Sequence, residues 1–120
     1  MARLSIVQGD TAVLRIAVLN PDGTPTDLTG YEITFTIKRS RGDLDQAAVF
    51  QGTKDDGDIV LVGDPADGTF DVTVPYADTV PMRPGKPYYW DTQLEQAGLV
   101  FTPCNGLIFV DGEITQTVPS

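Results

Sequence analysis

Residues 31–39 (YEITFTIKR) alternate apolar and polar side chains without a break. Tyr31, Ile33, Phe35 and Ile37 fall on one face, and Glu32, Thr34, Thr36 and Lys38 on the other. Successive side chains of a β-strand point to opposite faces of the sheet, so a strand with one dry and one wet face must carry this pattern. A helix would scatter the same four apolar residues around its axis. The dry face requires a second layer, which the rest of the chain has to supply.

Other segments carry the same signal, divided by turn chemistry. Leu4, Ile6 and Val7 open a short first strand that Gly9 and Asp10 close. Residues 12–20 (AVLRIAVLN) place Leu14, Ile16 and Val18 on one face, and residues 20–24 (NPDGT) form a tight hairpin tip in which Pro fixes one turn position and Gly accepts the left-handed one. Residues 25–30 (PTDLTG) carry Leu28 as an apolar plug. After the loop at 40–46 come a weaker strand at 47–53, a turn at 54–58, a short apolar run at 59–62 (IVLV) and a second Pro-then-Gly turn at 64–68. Residues 69–74 (TFDVTV) turn Phe70, Val72 and Val74 inward.

The stretch 75–83 predicts a single helical turn, with Tyr76 and Val80 on one side and Pro81 and Pro84 stopping its growth. Pro84 and Gly85 suit a type II turn. Residues 88–95 (YYWDTQLE) return to alternation with Trp90, Thr92 and Leu94 inward, so the sole tryptophan is expected near the centre of the core. Residues 100–102 and 107–110 supply the last strands, with Asn105 and Gly106 read either as a hairpin turn or as a kink within one run. Residues 114–118 add a terminal strand or a tail ordered against a neighbour.

Eight or nine short strands at spacings of about 8 to 12 residues, with no amphipathic helix, predict an all-β, immunoglobulin-like antiparallel β-sandwich with one short helical turn. Uneven strand lengths and a crossover at 75–87 favour a sandwich over a closed barrel. Tyr88 lies where such folds place a corner tyrosine. A length of 120 residues fits one domain over 1–120, with 111–120 as an extended tail.

Eight Lys and Arg against 17 Asp and Glu give a net charge of −9, which repels nucleic acid and anionic membrane surfaces. No apolar run approaches the roughly 18 residues that span a bilayer. The first ten residues lack signal-peptide organisation, so the expectation is a chain made in the cytoplasm that leaves only within a larger particle. The absence of histidine removes the commonest general base, the usual zinc ligand and the centre of nucleophile triads. The lone Cys104 excludes an internal disulfide and reads as a small apolar residue. No enzyme, cofactor or metal is expected.

Among site candidates, Asp55, Asp56 and Asp58 around Gly57 cluster carboxylates as a calcium loop does, but they lack its later bidentate Glu, and turn chemistry is the expectation. Lys38, Arg39 and Arg41 form the basic cluster, either a solvated loop or a dock for an acidic neighbour. Asp91 and Glu95 share the outer face of one strand too far apart to act as an acid and base pair. Tyr89, beside Asp91 and Gln93, offers a surface for a neighbour or a glycan. Arg39, Arg41, Tyr89 and Ile114 are the interface candidates.

One set of pieces is distinctive in order and spacing: Gly9-Asp10-Thr11, Pro21-Asp22-Gly23-Thr24-Pro25, Asp27-Leu28-Thr29-Gly30-Tyr31, Asp67-Gly68-Thr69-Phe70, Pro84-Gly85 and Tyr89-Trp90-Asp91. From about Ile6 to Val110 the chain resembles the small immunoglobulin-like proteins of tailed phages and prophages related to the N-terminal domain of baseplate upper proteins. It departs from them at residues 102–105 (TPCN), where a plain strand is expected. The resemblance implies a virion structural role in tail, baseplate, neck or head surface, with other virion proteins or further copies of the chain as partners and no catalytic residues. The rival expectation is a carbohydrate- or host-surface-binding module, and a third is a minor hydrolase accessory.

Overall fold

The computed structural model describes residues 2–40, 42 and 48–112. They form eight strands: β1 (Ala2–Val7), β2 (Ala12–Ala17), β3 (Glu32–Lys38), β4 (Phe50–Thr53), β5 (Ile59–Leu61), β6 (Thr69–Val74), β7 (Pro87–Gln96) and β8 (Leu99–Asp111). One sheet has the order β1-β8-β7-β3-β4 and the other β2-β6-β5, an immunoglobulin-like sandwich. The dry faces anticipated for β3, β6 and β7 meet in the middle. Ile33, Phe35 and Ile37 of β3 and Phe70, Val72 and Val74 of β6 are fully buried, and Trp90 of β7 stacks on Phe35 with ring centroids 5.5 Å apart.

Direction of pairing was not encoded in the alternation. β1 runs parallel to β8, from Ala2 opposite Gly106 to Val7 opposite Asp111, so the sandwich is not wholly antiparallel. A period of two fixes which face a side chain takes and leaves the partner's direction open. β8 decides between the two readings of Asn105 and Gly106 in favour of one run. It is one unbroken strand through Asn105 and Gly106, with a bulge where Thr102 and Pro103 together oppose Gln93. Proline has no N–H for a ladder, and a bulge is where a sheet accommodates it. The departure at 102–105 is therefore a local bend inside β8.

The chain between β2 and β3 is held by its turns. Leu19 and Pro25 pair in a single bridge, and Asp22 Oδ1 accepts from both the amide and the hydroxyl of Thr24. Asp27 does the same for Thr29, and Leu28 between these two residues is completely buried, its amide on the Pro65 carbonyl. Gly68 (φ 69°) lies where these strands cross, its carbonyl accepting from the Val18 amide while the Thr26 amide donates to the Val18 carbonyl.

The crossover from β6 to β7 contains the expected helical turn, α1 (Tyr76–Thr79), but Tyr76 and Val80 face outward. The inward residues are Thr79 and Met82, the latter fully buried. The Tyr88 hydroxyl accepts from the Arg83 amide at 2.8 Å, which makes it a corner tyrosine that pins the crossover to β7.

Three of the carboxylates that organise turns and sheet surface titrate below the ordinary value of 3.8: Asp22 and Asp27 through the Thr24 and Thr29 hydroxyls, and Asp71 through the Arg15 guanidinium 2.8 Å away. A carboxyl with a depressed folded pKa contributes stability that is fully present above its unfolded value and is lost as the pH falls through the folded one. The urea midpoint should therefore hold from neutrality to about pH 5 and drop below about pH 4. A triple Asp22→Asn, Asp27→Asn, Asp71→Asn variant should show a visibly shallower acid decline, and an unchanged slope would rule these groups out as its source.

Candidate functional site

The hairpin between β7 and β8 turns at Ala97 (φ 54°) and Gly98 (φ 81°), two successive left-handed residues as in a type I′ turn. Beyond it the strand exposes Leu99, Val100 and Phe101. The Thr102–Pro103 bulge lies just beyond these residues, and Phe101 meets Tyr31 edge to face at 6.5 Å. Leu19, Pro21, Tyr31, Leu94, Phe101 and Pro103 line a groove of about 690 Å³ beside it. Exposed apolar side chains gathered around a groove mark a surface that gains by being covered. Sequence reading missed this site because Leu19 and Phe101 come together only when the turn after β2 folds against the β7–β8 hairpin.

At the opposite end, about 30 Å away along β7, Arg39, Arg83 and Lys86 line one cleft with Pro87 and Tyr88. Arg39 was an interface candidate from the sequence. Arg83 and Lys86 join it because the corner tyrosine holds the crossover against the end of β3. Arg41 and Ile114 lie outside the described residues.

The outer face of β7 is a different kind of surface. Lys38, Tyr89 and Leu107 form one cross-strand row, and Thr36, Asp91 and Asn105 the next. Tyr89 is half-buried, and the cleft it shares with Thr36, Lys38 and Asp91 holds about 130 Å³. Sites that enclose a ligand typically offer about 300 to 1,000 Å³. Glu95 stands opposite Glu32 on β3, four residues along from Asp91.

The aspartates around Gly57 are absorbed by their turn. The Asp55 amide donates to Glu32 Oε1, the Asp56 amide to Thr53 Oγ1, and Asp58 Oδ2 accepts from the Thr53 amide. Among the described residues no group of three or more acidic, Cys or His side chains is placed to hold a metal. Cys104 is half-buried opposite Thr92, and burial pushes its thiol upward, away from the reactive thiolate. No helix among the described residues is long and apolar enough to cross a membrane.

In comparisons with known proteins, no family model matches the chain, and no curated protein sequence matches it either.

Proposed function

We propose that the chain is a non-enzymatic structural component of a tailed-phage particle, working through protein–protein contacts made at the ends of a rigid sandwich. The observation that carries this reading is the exposed apolar hairpin end, Leu99, Val100 and Phe101 beside the Leu19 groove. A molecule working alone in water gains nothing from that surface, whereas a neighbour that covers it gains the free energy of burial. The resemblance of the motif set to phage immunoglobulin-like proteins supplies the setting, and the edge strands β4 and β5 offer further attachment.

Purified particles from a host that carries the gene provide the test. Labelling and imaging should place the protein in the particle, and Phe101→Asp should reduce its incorporation at least about tenfold while the purified variant keeps its β-sheet circular dichroism. Particles that lack the protein would overturn the reading. Binding of the isolated chain to a glycan array would instead favour a carbohydrate-binding module.

A further inference from the structure

We infer that copies of this chain associate head to tail, the cationic cleft at the crossover end of one molecule receiving the hairpin end of the next. The inference deepens the structural-component reading and rests on it for its biological setting; the physical argument concerns the two ends alone.

The chain has only eight Lys and Arg, and three of them, Arg39, Arg83 and Lys86, converge on one cleft. None of the three has an ion-pair partner among the described residues. Arg83 is not on a loose loop, because its amide is fixed by the Tyr88 hydroxyl at 2.8 Å. A cluster of cations on one cleft of a protein of net charge −9 is a receptor for an anionic surface.

The hairpin end is that surface. Glu32 and Glu95 face each other directly across β3 and β7, and like charges in that position destabilise an isolated sheet. Asp55 is tied to Glu32 through its backbone, and the turns of Asp22 and Asp27 lie alongside. Lys54 is the one cation described there, with its Nζ on the Tyr31 carbonyl. Cations from outside would relieve the Glu32–Glu95 repulsion.

The apolar surface is distributed in the same way. Of nine exposed large apolar residues among those described, Leu19, Leu99, Val100 and Phe101 are at the hairpin end, Val7, Tyr76 and Val80 at the other, and Val13 and Val60 on the outer face of the β2-β6-β5 sheet. End-to-end contact covers both end groups, and side-by-side contact covers neither. A two-fold contact between hairpin ends would press Glu32 and Glu95 onto their own copies, which like-charge repulsion opposes. The contact therefore joins unlike ends, leaves one of each kind free, and propagates into a ring or a filament.

Sedimentation velocity of the purified full chain tests this in salt of about 0.05 M and about 0.5 M, which spans the range where surface charges become screened. The expected result at low salt is a concentration-dependent series of dimer, trimer and larger species that returns to monomer at high salt. An Arg39→Ala, Arg83→Ala, Lys86→Ala variant and a Glu32→Gln, Glu95→Gln variant should each be monomeric. Their equimolar mixture should stop at a one-to-one dimer, because each partner offers only one working end. A wild-type chain that is monomeric in both salts, a blocked variant that still self-associates, or a mixture of folded variants that stays monomeric would each overturn the inference. Should circular dichroism show either multiple variant unfolded, Arg83→Ala and Glu95→Gln replace them, each expected to weaken association about tenfold. A monomeric chain found in purified particles defeats the head-to-tail contact alone. A chain that assembles in solution and is missing from particles defeats the virion reading alone.

Discussion

Trp90→Ala is expected to cost about 3–5 kcal/mol of folding stability, the range for removing a large aromatic from a close-packed interior. Trp90 is 2% exposed and stacks on Phe35 at 5.5 Å, between the strands that carry most of the five-stranded sheet. Truncation leaves a cavity bounded by β-sheet backbone, which cannot collapse as a loop can. Trp90→Phe should be far milder, because the stacked ring survives and the indole Nε1, buried without a partner among the described residues, is removed. Guanidinium unfolding followed by circular dichroism measures both. Equal midpoint shifts for the two variants would show that the ring contact between β3 and β7 is not what stabilises this part of the core.

Gly68→Ala should be comparably severe for a different reason. A Cβ at Gly68 would sit 2.8 Å from the carbonyl oxygens of both Thr26 and Val18, and the Val18 backbone is hydrogen-bonded to both Gly68 and Thr26. Gly23→Ala is the control, because its φ of 89° is equally left-handed and nothing lies within 4 Å of the added atom. Gly23→Ala should therefore lose only the conformational penalty of about 1–2 kcal/mol. Gly68→Ala adds displacement of the Val18–Gly68 and Thr26–Val18 bonds, and should lose at least about twice as much. Urea denaturation of the pair gives the difference directly, and similar losses would mean the crossing has room to spread.

How much of this was legible in the sequence depended on how local the cause was. β3, β6 and β7 could be read because one face is wet and the other dry, a property that each strand states by itself. The corner tyrosine at Tyr88 was legible from its place at the end of the long crossover. The burial of Met82 was not, since a Pro-rich crossover has no period to read. Likewise Thr102 and Pro103 showed only that a regular strand was interrupted, and the bulge appears once Gln93 is seen opposite both. The candidate site was least legible. Arg39 was marked by its neighbours in sequence, but Arg83 and Lys86 reach it through tertiary packing, and the Leu19–Phe101 groove has no sequence-local trace at all.

The parallel β1–β8 pair has a mechanical consequence. The N-terminal end of β1 at Ala2 lies beside Gly106, and the C-terminal end of β8 at Asp111 lies beside Val7. Tension applied through the two termini would pull these strands in opposite directions along their own axes, in shear. All the rungs of the pair then resist together, whereas a peeled hairpin yields one rung at a time. Resistance to forced unfolding is set by that unfolding barrier and not by equilibrium stability, so a sandwich closed in this way can withstand tension well beyond what its folding free energy alone would indicate.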